Sequence, residues 1–136
     1  MEQKIVRDPL FLSQKSQEAS LADLPIGQDL QDTLAVNKDR CVGLAANMIG
    51  HHKRIIIVDL GLTSLVMYNP VILAKSGPYE TEESCLSLAG SRPTTRYREI
   101  SVRFYNQNWQ EQTLTLTDFP AQICQHELDH LEGILI

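Results

Sequence analysis

Residues 126–130 read His126-Glu127-Leu128-Asp129-His130, two imidazoles bracketing a carboxylate at the spacing of one helical turn. On an α-helix, side chains four positions apart differ by about 40° in direction and about 6 Å in height, so both rings can reach one cation. Glu127, next to the first ring, then stands beside water activated by that cation and can act as its general base. This makes the chain a candidate metallohydrolase; the competing reading is two solvated histidines on a polar helix. Asp118 suits an N-cap, Phe119 and Pro120 a first turn, and Gly133 a C-terminal stop, which puts the pentad in the last two turns.

Two histidines need a third protein ligand, with one position left open for water or substrate. The run from His126 to Ile136 follows the metzincin pattern as far as the position where that pattern needs a third histidine, and there it has Ile136. With no later helix to supply a glutamate, the ligand is expected upstream. The candidates are Cys41, Cys85, Glu80, Glu82, Glu83 and the pair His51-His52. Cys124 lies about 200° around the helix from His126 and reads as a core contact. Cys85 sits in Glu83-Ser84-Cys85-Leu86-Ser87, a strand edge or loop; its thiolate would complete a Cys/His/His site, while a lone cysteine is also commonly a small buried hydrophobe.

Three segments occur in order: Gly43-Leu44-Ala45-Ala46-Asn47-Met48, Glu83-Ser84-Cys85-Leu86-Ser87, and Gln125 through Gly133. Together they resemble the signature motifs of the peptide deformylases, and the resemblance runs from about residue 5 to the end. It implies that Cys85, His126 and His130 bind a metal, usually Fe2+, with Zn2+ or another divalent transition ion as alternatives. It implies that Glu127 handles the proton, that the Leu86 backbone N–H meets the formyl oxygen, and that Gly43 lies along a cleft where the peptide pairs in β fashion. The activity implied is hydrolysis of the N-formyl group from the initiator methionine of new polypeptides, giving formate and a free amine, with formyl-methionyl peptide as substrate and the ribosome as a transient partner.

The sequence departs from the family's first motif, G-x-G-x-A-A-x-Q, at two positions: Cys41 replaces its first glycine and Met48 its glutamine. The glutamine amide helps hold the oxyanion, and loss of one such donor costs on the order of 100- to 1000-fold in turnover. Asn47 is expected as a substitute donor, and Ser84, in place of a second-motif glycine, is expected to be tolerated. The rival readings are a catalytically impaired paralogue that still recognises N-terminal peptides and a peptidase acting on internal amides.

The elements that must position these groups are legible in part. Pro25 opens a helix over 25–37 with Ile26, Leu30 and Leu34 along one stripe. Residues 54–58 and 65–73 read as strands, the second with an edge or bend at Pro70. Ile100, Val102 and Phe104, then Asn106-Gln107-Asn108, then Leu114 and Leu116 read as a hairpin leading directly into the pentad helix. The expected fold is α+β, with antiparallel strands packed around a central HExxH-bearing helix, and residues 1–136 forming one catalytic domain. His51 and His52 read as solvated loop residues. Arg92, Arg96 and Arg98 read as a solvated basic face, one of which could order a loop beside the site.

A net charge of −5 without a basic cluster gives no reason to expect nucleic-acid or membrane-surface binding. The N-terminal residues lack a signal-peptide run, and a cytoplasmic location is expected. An odd count of three cysteines argues for free thiols rather than a disulfide framework.

Overall fold

The computed structural model describes residues 1–135, and in it five antiparallel strands form one sheet in sequence order, β1-β2-β3-β4-β5. The strands are β1 (Gly43–Ala45), β2 (Ile55–Asp59), β3 (Ser64–Cys85), β4 (Leu88–Tyr105) and β5 (Glu111–Thr117). Three helices accompany them: α1 (Pro9–Leu12), α2 (Leu24–Val36) and α3 (Asp118–Leu131). Single 3₁₀ turns at Leu21–Asp23 and Ala46–Ile49 lead into α2 and out of β1. Ile136, where the metzincin pattern would need its third histidine, lies outside the described residues.

β2 is a β-branched run with Ile55 through Val58 all buried, as a strand covered on both faces requires, and α2 and α3 both pack against it. The buried stripe of α2 is Gly27, Leu30, Thr33 and Leu34, with Ile26 only partly buried beside it, a rotation from the expected Ile26–Leu30–Leu34 line. Tyr68 explains the rotation: its hydroxyl donates to the Leu24 carbonyl at 2.7 Å, and its ring fills the space that a side chain on residue 27 would take.

The strand expected at 65–73 continues through the β3/β4 hairpin as far as Cys85, and residues 75–97 were not read as strand from sequence. These arms are polar on both faces, so the alternation that marks a half-buried strand is missing. Cross-strand contacts hold them instead. Thr95 donates to Glu80 at 2.6 Å, Arg98 lies over the Tyr79 ring at 4.6 Å, and Lys75 lies over the Tyr97 ring at 4.6 Å. Pro70 marks both a bend and the start of an edge: the pairing with β4 shifts between Tyr68 and Val71, and β2 has already ended opposite Tyr68, leaving that side of β3 without a partner strand. Asn69, at φ 54°, clips the bend to Ala19, accepting from its N–H at 2.7 Å and donating to its carbonyl at 3.0 Å.

The β4/β5 hairpin forms as expected. Its turn is closed by the Asn106 side chain, which accepts from the N–H groups of Asn108 and Gln110. β5 then enters α3 with no intervening loop. The N-cap is Thr117 rather than Asp118, because the chain turns within one residue, Asp118 at φ 53°, a left-handed conformation that Asp tolerates. At the other end Gly133, at φ 75°, donates to the His130 carbonyl, and Ile134 N–H reaches back to Asp129, a Schellman closure. Between the two ends, Gln125 accepts from Tyr97 N–H and donates to the Tyr97 carbonyl, each at 2.8 Å. β5 pairs with β4 only from Glu99 onward, so this side-chain amide supplies one more rung and ties the helix to the sheet.

Candidate metal centre

α3 buries the pentad: His126 is 8% exposed, Glu127 4% and His130 0%, so the reading as two solvated histidines fails. β3 ends at Cys85, directly over this face. Cys85 Sγ lies 3.2 Å from His130 Nε2, which is itself 3.2 Å from His126 Nε2, and the three donor atoms all lie within 4.8 Å of one another. One sulfur and two imidazole nitrogens suit a transition ion with a fourth position left open. His130 Nδ1 is buried without a partner, and both Nε2 atoms face each other, an arrangement that hydrogen bonds alone satisfy poorly and a central cation satisfies well. The residues present therefore fit a metal.

A buried carboxylate orients the first ring. Glu83 accepts from His126 Nδ1 at 2.8 Å, which turns Nε2 toward Cys85 and His130. Arg96 grips Glu83 with both a 2.9 Å and a 2.7 Å bond, Gln122 adds a third at 3.0 Å, and Arg96 also reaches Asp129 at 2.8 Å. Burial alone would raise the Glu83 carboxyl, but bonds from His126, Arg96 and Gln122 outweigh it and bring the group down to about 2. In the metal-free protein His126 is pushed up to about 10: burial opposes its charge, yet the Cys85 and Glu83 contacts prevail. His130 goes the other way, down to about 3, through burial and the nearby His126 charge.

Arg96 corrects the sequence reading of a solvated basic face. It is 4% exposed and binds β4 to both β3 and α3, whereas Arg92 bonds only the Ala89 carbonyl and Arg98 covers Tyr79. Gln122, His126 and Asp129 recur at spacings of four and three on α3, so a helical reading of polar residues around the pentad could have found this network.

A cavity of about 380 Å³ opens beside the cluster, between the 38–43 segment, Glu82–Leu86 and α3. Glu127 faces it with Oε1 buried and unpartnered, and burial raises its carboxyl to about 7. Gly43 and Leu86 line the same space, and Arg7 donates to the Leu86 carbonyl at 2.6 Å. Gly43 is the close approach here, since a Cβ at this position would lie 2.6 Å from Ile123 and 3.0 Å from Glu127. Met48 also lines the cavity, and its sulfur accepts from the Ala45 N–H at 3.4 Å.

Asn47 does not reach the cavity. Neighbours in a 3₁₀ turn point in different directions, and its amide instead donates to the His130 carbonyl at 3.0 Å, capping the end of the pentad helix. The expected substitute for the missing glutamine is therefore engaged elsewhere. Ser84 is outside the left-handed region, so its side chain brings no backbone strain. Of the other upstream candidates, Cys41 and Glu82 line the cavity without joining the cluster, Glu80 accepts from Thr95, and Cys124 is buried in the core. His52 is more than a solvated loop residue: it stacks on Phe11 at 4.0 Å and bonds the Phe11 carbonyl. Among the described residues no helix is long and apolar enough to cross a membrane.

Comparison with known proteins points to one family. The family model described as polypeptide deformylase matches residues 3–136. A peptide deformylase of Clostridium beijerinckii is 54% identical over 132 residues, covering 97% of each chain, and peptide deformylase 1 of Clostridium perfringens is 42% identical, covering 79% of this chain and 74% of its own. The Met-Ala-Ser-bound class I type b peptide deformylase of Acinetobacter baumannii superposes with TM-score 0.88 at 27% identity, covering 99% of this chain and 97% of that one. The peptide deformylase of Thermotoga maritima superposes with TM-score 0.88 at 26% identity, covering 99% and 95%.

Proposed function

The chain belongs to the peptide deformylase family, metal-dependent hydrolases that deformylate polypeptide N-termini, and from that premise we propose that it releases formate from formyl-methionyl peptides at a centre held by Cys85, His126 and His130. The observation that carries this reading is the cluster itself: three donor atoms within 4.8 Å, with the buried, unpartnered carboxylate of Glu127 beside them at the wall of a cavity.

A divalent transition ion bound there, Fe(II) in the cell, would polarise the formyl carbonyl and acidify water. The sulfur donor favours a borderline or soft ion over Mg or Ca, and the choice of iron over zinc follows from the family resemblance. Glu127 takes the proton of the attacking water, an exchange that its buried place beside the cluster and at the cavity wall suits. Water adds its hydroxyl to the formyl carbon, the C–N bond breaks, and Glu127 returns the proton to the departing nitrogen. The Leu86 N–H donates to the formyl oxygen as it gains charge, and Arg7 on the Leu86 carbonyl steadies that turn. Gly43, on edge strand β1, aligns the peptide backbone. The setting is the cytoplasm, where any ribosome contact is local because the chain has a net charge of −5.

The test is formate release from a formyl-Met tripeptide by anaerobically purified protein, with bound metal assayed in parallel. Iron in the purified protein and a loss on the order of 100- to 10,000-fold in Glu127→Ala are expected. Metal-replete protein that binds the peptide without turnover would support the second reading, an impaired paralogue, which Met48 favours because its thioether offers the cavity no hydrogen-bond donor. Protein lacking iron would overturn the metal assignment.

A further inference from the structure

β1 is the outer strand of the sheet, and its pairing with β2 fixes which backbone groups face outward. Asp59 N–H bonds the Val42 carbonyl at 2.9 Å, so in the antiparallel register of Gly43 with Val58 the groups of Leu44 face β2 and those of Gly43 and Ala45 face the free edge. These are the groups on which an extended peptide would pair. Two of them are already taken, each by a sulfur atom of a residue flanking the strand. The Cys41 thiol donates to the Gly43 carbonyl at 2.8 Å, and the Met48 thioether accepts from the Ala45 N–H at 3.4 Å. Both sulfur-bearing residues line the cavity that Glu127 also lines.

We propose that Cys41 is an affinity-determining residue whose thiol caps the Gly43 carbonyl and must be displaced before an extended peptide can pair with β1. The inference rests on the reading of β1 as the peptide-binding edge. Three features support the cap. Cys41 is only partly buried, so its side chain has room to rotate away. Burial, with Glu127 nearby, pushes its thiol up to about 12, so it remains a donor across the physiological range. Being a thiol, it is also a weak donor that a peptide N–H can outcompete. The cap therefore weakens peptide binding without closing the site, and it bears on any ligand that offers an amide N–H to this edge.

The experiment compares parent, Cys41→Ala and Cys41→Ser by calorimetric binding of the tripeptide Met-Ala-Ser to metal-loaded protein, with KM and kcat for a formyl-Met tripeptide. Cys41→Ala is expected to bind the tripeptide about three- to tenfold more tightly and to lower its KM by the same factor, a larger change than in kcat. Cys41→Ser keeps a hydroxyl donor and is expected to stay near or below the parent affinity. Equal tripeptide affinity in parent and Cys41→Ala, or a change in kcat with KM unmoved, would overturn the cap. Tighter tripeptide binding by Cys41→Ala in a parent without turnover would uphold the cap and remove the deformylase reading; turnover with an unchanged affinity would do the reverse.

Discussion

Position 48 shows how much one side chain can decide. Met48 lies at the cavity wall with its sulfur bound to Ala45 N–H, and it presents no donor to a developing oxyanion. A glutamine there could accept from the same N–H through its carbonyl oxygen and turn its amide nitrogen to the cavity. Met48→Gln is therefore expected to raise kcat for a formyl-Met tripeptide, by up to on the order of 100-fold, with little change in KM. Unchanged kcat would show that the protein stabilises the oxyanion without this position. The motif at 126–130 was legible from spacing along a helix, whereas Cys85 stood among several upstream candidates until the family resemblance singled it out. The role of Asn47 was not legible, since adjacency in sequence says nothing of direction in a 3₁₀ turn, and its amide caps the pentad helix instead.

At the level of elements, the polar arms of β3 and β4 and the pentad helix are joined through Arg96, which reaches Glu83 on one side and Asp129 on the other. Glu83 and Arg96 are both buried, so replacing Arg96 by methionine strands a carboxylate. Arg96→Met is expected to cost about 3–5 kcal/mol in urea unfolding. It should also weaken metal binding about 10- to 100-fold, because Glu83 would no longer be held against His126. Loss of stability without loss of metal affinity would mean that the network serves the fold alone. Sequence patterning recovered α2, β2 and the β4/β5 hairpin, where apolar periodicity exists, and stopped short along 75–97, where charged and aromatic cross-strand contacts do the holding. Of the two readings of the arginine cluster, a solvated face or one arginine ordering a loop beside the site, Arg96 is nearer the second, and its partners were not legible because they come from distant segments.

For the molecule as a whole, the centre couples charge to stability. In the metal-free protein the folded state holds Glu83 near 2, below its ordinary 4.5, so its ionised form adds stability above about pH 4.5 and that contribution disappears as pH falls toward 2. The urea midpoint of the metal-free parent should therefore exceed that of Glu83→Gln at neutral pH, and the gap should close on acidification; a gap independent of pH would contradict the ion-pair origin. Acid weakness of this kind arises from how the ends of separate elements meet, and the direct passage from β5 into α3 constrains that meeting further. With Asp118 making the whole turn and Gln125 pinned to Tyr97, the helix has no rotational slack. One residue inserted between Thr117 and Gln125 would swing His126 about 100° away from Cys85. Length variation in related chains can therefore collect in the Asn106–Gln110 turn, while the eight positions between Thr117 and His126, which separate the sheet from the first imidazole of the cluster, form a fixed ruler.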